Sequence, residues 1–221
     1  MPDVVQKLIV CDLDETLVRT MEQLQIYVWK TWKAWFPLKC VDRHHGSAPS
    51  IYNYILEQCG RPAGFPDTLE SFSTELFTHA WSKPHIYTAA IPYFDIWQAL
   101  LGWKGSIYFL SARLGHLHRV TQGWLEHWGL GRWPLKLTAD KVGALDVIEA
   151  EYDGWDIHFI DDNATTILEV EKHFSGRIRC YMVKAPWNKW VQKMKSLSFG
   201  RRICRTQRLP HAAIANLITN M

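Results

Sequence analysis

The chain has 221 residues, 48% hydrophobic and 21% charged, with 25 Lys and Arg against 22 Asp and Glu. Such a composition excludes disordered and fibrous classes, and a chain of this length can bury a sizeable core without disulfide staples. No apolar run approaches the roughly 18 residues that a membrane span requires.

The opening MPDVVQKLIVCD is too short and too acidic for a secretory leader and reads instead as a first strand. Residues 4–11 form a run rich in β-branched side chains that ends at Asp12, the pattern of a buried strand. Residues 20–85 break any strand–helix alternation. They are rich in Trp, Tyr and Phe, carry the turn clusters HHGSAPS and GRPAGFPD, and predict several short helices. Trp29, Trp32, Trp35, Tyr52 and Tyr54 either pack into a small aromatic core or include a platform for stacking a base. Residues 91–101 predict a helix that returns the chain to the sheet. The strand SIYFL, 106–110, ends at Ser111, and Leu117, Val120, Thr121, Trp124, Leu125 and Trp128 follow at helical spacing, with Gly129 as terminator. A helix is predicted from Asp140 through Val142, Leu145 and Ile148. The strand 155–160 ends at Asp161 and Asp162, and a helix follows Asn163 through Ile167 and Val170. A last strand spans 177–183. The tail 191–221 predicts one or two helices, over VQKMKSL and AAIANLI. Strands alternating with helices predict an α/β fold with a parallel sheet flanked by helices.

Charge is divided unevenly. Residues 1–171 hold 14 basic and 22 acidic residues, whereas 172–221 hold 11 basic and none acidic. This polarity points to an anionic partner for 172–221, or to a tail simply solvated by its charges. The five cysteines, Cys11, Cys40, Cys59, Cys180 and Cys204, are scattered and odd in number, which suggests reduced thiols and a cytoplasmic location.

Three of the predicted strands end in polar residues, and in an open parallel sheet sites form beyond the carboxyl ends of strands. Displacement at a phosphate ester needs a nucleophile, a proton donor for the leaving oxygen and a cation. Asp12 and Asp14, two residues apart just past a strand, supply the first two and help hold the third. The hydroxyl of Ser111 and the backbone N–H groups from Ala112 onward suit a phosphate, and Arg113 either adds a guanidinium fork for it or is a surface salt-bridge partner. Lys141 sits in the first turn of a helix, where its charge opposes the macrodipole, so a role in neutralising a phosphoryl group is attractive. The adjacent carboxylates Asp161 and Asp162 repel each other unless a hard cation such as Mg²⁺ or a hydrogen-bond network holds them. His44 with His45, and His116 with His118, lack a partner cluster at ligand spacing and read as surface histidines.

Asp12-Leu13-Asp14-Glu15-Thr16, Ser111, Lys141 and Asp161-Asp162, in that order, resemble the four motifs of the haloacid dehalogenase (HAD) phosphatases. The resemblance covers about residues 5–188. It implies a Rossmann-like core and Mg²⁺ held by Asp12, the Asp14 carbonyl and Asp162, with Asp161 in support. It also implies an aspartyl-phosphate on Asp12, with Asp14 as general acid and base and with Ser111, Ala112, Arg113 and Lys141 around the phosphoryl group. The core is then 1–19 with 86–190, the helical cap 20–85, and the basic tail 191–221. The stretch around Lys141 and Pro186-Trp187-Asn188 resemble the capped 5′(3′)-deoxyribonucleotidase-like branch, which implies a nucleoside monophosphate or similar small ester as substrate. Glu15 departs from the Gly usual at that position. The string DLDETLV resembles capless phosphatases acting on phosphoserine in polymerase tails, so a macromolecular substrate gripped by the basic tail is the alternative.

Overall fold

The structure, a computed structural model, describes residues 6–41, 47–188 and 208–221. Residues 4 and 5, His44, His45, Cys204 and the expected helix over 191–197 lie outside the described residues.

Six strands form one parallel sheet. They are β1 (Lys7–Cys11), β2 (Ser106–Ser111), β3 (Leu135–Leu137), β4 (Asp156–Asp161), β5 (Ile178–Val183) and β6 (Arg208–Leu209). Their order is β3-β2-β1-β4-β5-β6, so the chain runs outward from β1 in one direction and then crosses back to continue on its other side. That reversal opens a crevice between the carboxyl ends of β1 and β4.

Side chains alternate across the central strand. Ile9 and Cys11 enter one buried layer with Ile107, Phe109, Trp124 and Leu125, while Leu8 and Val10 enter the other with Leu145, Ile148, Ile167 and Phe174. The helices are α5 (Phe94–Gly102), α6 (His118–His127), α7 (Lys141–Glu151), α8 (Ala164–Phe174) and, at the end of the chain, α9 (His211–Asn220). Gly129 closes α6 as the sequence predicts, at φ +75°, with Leu130 N–H donating to the Leu125 carbonyl at 2.7 Å. The strands β3 and β6 go beyond the sequence reading. Both are too short to show alternation, and pairing with β2 and β5 is what defines them. Helix α5 starts at Phe94 and not at residue 91, because Val18 forms a bridge with Pro92 and Tyr93 N–H donates to the Leu17 carbonyl at 2.8 Å.

Between β1 and α5 lie α1 (Thr20–Trp32), α2 (Ser47–Cys59), α3 (Leu69–Thr74), which runs on into a π-helical turn over Glu75–Ala80, and α4 (Pro84–Thr88). The first three and the π-helical turn share a separate apolar cluster built on Leu24, Val28, Trp32, Ile51, Tyr52, Phe65 and Phe72, whereas Ile86 and Tyr87 of α4 pack with Leu117. Trp32 and Tyr52 therefore belong to an aromatic core, whereas Trp29 and Trp35 are about half exposed, at 49% and 48%.

Candidate active site

The buried polar side chains converge on the crevice between β1 and β4. Asp12 follows β1 directly, and its backbone N–H donates to the Ile160 carbonyl of β4 at 2.9 Å. Asp161 ends β4, and Asp162 follows it. Asp12, Asp161 and Asp162 are all buried, and each offers a carboxylate oxygen within 4.8 Å of the others. Lys141 reaches them from the first position of α7. Its Nζ donates to Asp12 Oδ1 at 2.7 Å and to Asp161 Oδ2 at 2.8 Å.

The sequence puts Lys141 there by ending the preceding loop with a cap. Asp140 Oδ1 accepts from Gly143 N–H at 2.8 Å, and a Cβ on Gly143 would come within 2.4 Å of Asp140 Oδ2. Asp140, as N-cap, thus starts the helix at Lys141. The first turn then projects the lysine inward, where it is 7% exposed.

Electrostatics at this cluster are unbalanced. Burial raises Asp12 to about 7, against the pull of Lys141 and with the push of Asp161 and Asp14. Burial also lifts Asp162 well above the ordinary carboxylate range, aided by Asp161 and Asp12 and opposed by a hydrogen bond from Trp187. Burial disfavours the Lys141 ammonium, but Asp12 and Asp161 outweigh it and raise its pKa. Three buried carboxylates face one ammonium, and all the remaining donors are oxygen. That is the donor set and the charge deficit that suit a hard divalent cation.

Asp162 is held by residues distant in sequence. Trp187 Nε1 donates to its Oδ2 at 2.5 Å, Thr16 Oγ1 to its Oδ1 at 3.4 Å, and Asn188 Nδ2 to its backbone carbonyl at 2.8 Å. Asn163 N–H donates to Asp161 Oδ1 at 2.7 Å, while the Asn163 side chain caps α8 through Thr165 and Thr166. In the sequence Thr16, Trp187 and Asn188 stand within motifs but carry no role of their own, because nothing local ties these positions to Asp162.

Asp14 and Arg113 form a second centre beside the first. Arg113 Nη2 donates to Asp14 Oδ1 at 2.7 Å and Nε to Oδ2 at 2.9 Å. Of the two readings of Arg113, phosphate contact or salt-bridge partner, the structure shows an ion pair, though one buried on the Arg113 side. Ser111 ends β2 fully buried, and its hydroxyl accepts from Arg113 N–H at 3.4 Å. Ala112 is exposed. The helix expected directly after Ser111 starts only at His118, after a 3₁₀ turn over Gly115–Leu117. The N–H groups beside Ser111 therefore belong to a loop and not to a helix N-terminus.

Glu15, the departure from the family pattern, has a structural reason. It takes φ +60°, a conformation favouring glycine. Its buried carboxyl accepts from Met21 N–H at 2.6 Å, from Thr20 Oγ1 at 3.3 Å and from the Tyr93 hydroxyl at 2.9 Å. The first turn of α1 gets no side-chain cap from Arg19, its own N-cap residue. Glu15 supplies the acceptor that this turn needs, and so ties the Asp12–Asp14 loop to the helical insertion.

No protein-family profile and no curated protein matches the sequence. Among solved structures, a HAD family hydrolase from Deinococcus radiodurans R1, determined with bound phosphate and sodium, is 14% identical with TM-score 0.55, covering 97% of this chain and 96% of that one. A haloacid dehalogenase-like protein from Agrobacterium tumefaciens strain C58 is 12% identical with TM-score 0.56, at 97% and 98% coverage. A HAD-superfamily hydrolase of subfamily IA from Geobacter sulfurreducens PCA is 14% identical with TM-score 0.51, at 97% and 96% coverage. At these identities the likeness is one of fold, and the described residues have the fold of the haloacid dehalogenase-like hydrolases.

Proposed function

We propose that the protein is a phosphomonoester hydrolase that forms an aspartyl-phosphate on Asp12. The observation that carries this reading is the meeting of Asp12, Lys141, Asp161 and Asp162 at the strand-order reversal, all buried, with Lys141 hydrogen-bonded to Asp12 and Asp161 and with an oxygen of each carboxylate within 4.8 Å of the others. Lys141 fixes Asp12 Oδ1 and so sets the direction of Oδ2, the oxygen that attacks phosphorus. As the O–P bond forms, the bond from phosphorus to the ester oxygen breaks, and Asp14 gives that oxygen a proton. Asp14 then takes a proton from water as the water attacks phosphorus, which releases inorganic phosphate and restores Asp12. Ser111 and the loop N–H groups from Ala112 onward orient the phosphoryl oxygens, and Lys141 offsets their charge.

Asp12, Asp161 and Asp162, with the Asp14 carbonyl, would hold Mg²⁺. Bound there, the ion would screen the attacking carboxylate from the phosphate dianion. The residues would otherwise be left with the excess negative charge described above.

The substrate we infer is a nucleoside monophosphate or a similar small ester, with residues 20–85 as a cap over the site. The resemblance around Lys141 and Pro186-Trp187-Asn188 supports it. The charge of residues 172–221, 11 basic and none acidic, favours a second reading, a phosphoprotein or nucleic-acid end as substrate. A cytoplasmic location is supported by the free thiols of Cys11, Cys40 and Cys59.

Phosphate release from 4-nitrophenyl phosphate and from a nucleotide panel, with Mg²⁺ or with EDTA, tests these readings together. Turnover that needs Mg²⁺ and is lost in Asp12→Asn is the expected result. Turnover of a polymer only, falling steeply with salt, selects the second substrate class. Turnover that survives Asp12→Asn refutes the mechanism.

A further inference from the structure

We propose that Arg113 is a positioning residue for Asp14, and not a ligand of the phosphoryl group. The assignment rests on the phosphatase reading above and gives the proton donor of that reaction its support.

Arg113 is built into the protein on every side. Its side chain is 1% exposed, against 28% for Asp14. Nε and Nη2 grip both oxygens of Asp14, at 2.9 and 2.7 Å, in a two-point fork. Nη1 donates to Thr121 Oγ1 of α6 at 3.1 Å. The guanidinium carbon lies 4.3 Å from the ring centroid of Tyr87 in α4, and the Tyr87 hydroxyl is itself fixed to the Trp81 carbonyl at 2.6 Å. Each nitrogen of Arg113 already has a protein acceptor, and the flat face is stacked. A phosphate ligand needs donors turned toward the crevice. Here the donors are turned to Asp14, and Asp14 is the partner that remains open to solvent.

The fork fixes what a free aspartate lacks. Two rotatable bonds would otherwise let the Asp14 carboxyl sample many directions. Thr121 of α6 and Tyr87 of α4 hold the guanidinium in place. The two-point fork holds the ionised form, the base; as the acid, Asp14 keeps one oxygen on the guanidinium while the other carries the proton, so Arg113 still sets the direction in which that proton is delivered.

Proton delivery matters only for a leaving group that needs it, which gives a test specific to this role. In Arg113→Met, kcat/KM for a nucleoside 5′-monophosphate, which reports the steps through loss of the strongly basic alkoxide, is expected to fall about 100-fold. For 4-nitrophenyl phosphate, whose leaving phenolate is stable without a proton, kcat/KM should fall much less; its kcat falls as well, because hydrolysis of the aspartyl-phosphate, common to both esters, also uses Asp14. The affinity for inorganic phosphate by calorimetry should stay as in the wild type. Asp14→Asn should show the same split, and adding Arg113→Met to it should cost the nucleotide reaction little more. Arg113→Lys keeps the charge without the fork and carries the same comparison should the methionine variant fail to fold.

Two results overturn the proposal while leaving the phosphatase reading standing. One is a rise in KM and a weaker grip on inorganic phosphate with kcat unchanged, which would make Arg113 a phosphate ligand. The other is an equal fall in kcat/KM for both esters, which would make it merely structural. Absence of turnover in the wild type with either ester overturns the phosphatase reading, and this proposal with it.

Discussion

The helical insertion and the sheet edge are both buried, yet by opposite means. In the insertion, the rings of Trp32, Phe65 and Phe72 lie with centroids 5.2–5.5 Å apart, and burial is of apolar surface. At the sheet edge the buried side chains are Asp12, Ser111, Arg113, Lys141, Asp161 and Asp162. Packing rings removes apolar area from water and stabilises. Burying carboxylates against one lysine costs desolvation that the ion pairs recover only in part. The insertion is thus a region shaped by stability, and the sheet edge one whose stability is spent on a charge arrangement. Substitutions in the two should separate activity from stability.

The largest effect is expected in Asp12→Asn. Phosphate release should fall by about 10⁴-fold or more, while urea unfolding shows no loss of stability, because the change removes a buried charge. Lys141→Met should lower both quantities. Activity falls by about 10²–10³-fold, and stability by about 3–5 kcal/mol because the carboxylates lose their only close ammonium among the described residues. Phe72→Ala, at a fully buried ring, should remove about 3–5 kcal/mol, with kcat for 4-nitrophenyl phosphate little changed below the melting temperature. An equal collapse of kcat there would show that the two regions are not separable. Mg²⁺ should raise thermal stability by about 2.7 kcal/mol at a hundredfold excess over its Kd, and Asp162→Asn should abolish most of that gain. Asp140→Ala removes only the cap of α7. About 1 kcal/mol is expected, and a larger loss of activity than of stability would show that the cap also aims Lys141.

The sheet edge was readable because each of its carboxylates follows an apolar strand. VVQKLIVC before Asp12 and WDIHFI before Asp161 carry their own burial signal, and a parallel sheet puts all strand ends on one side. Helices α6, α7 and α8 were readable for the same kind of reason, with Gly129, Asp140 and Asn163 marking their ends. The roles of Arg113 and Glu15 were not. Arg113 looks like a phosphate ligand from its place two residues past Ser111, yet Thr121 and Tyr87 turn it onto Asp14. Glu15 looks like a misfit until Met21 and Tyr93 come to it from α1 and from the approach to α5.

By itself the sequence determined the strand ends, the order of the polar residues along them and hence the kind of chemistry the edge can do. Periodicity and caps are local, and a few residues suffice to express them. Which cation neutralises which carboxylate was decided only in three dimensions. Lys141 serves Asp12 and Asp161, Arg113 serves Asp14, and Trp187 with Thr16 holds Asp162. These partners are tens of residues apart, and their pairing depends on how helices and loops pack over the sheet, which no local pattern encodes.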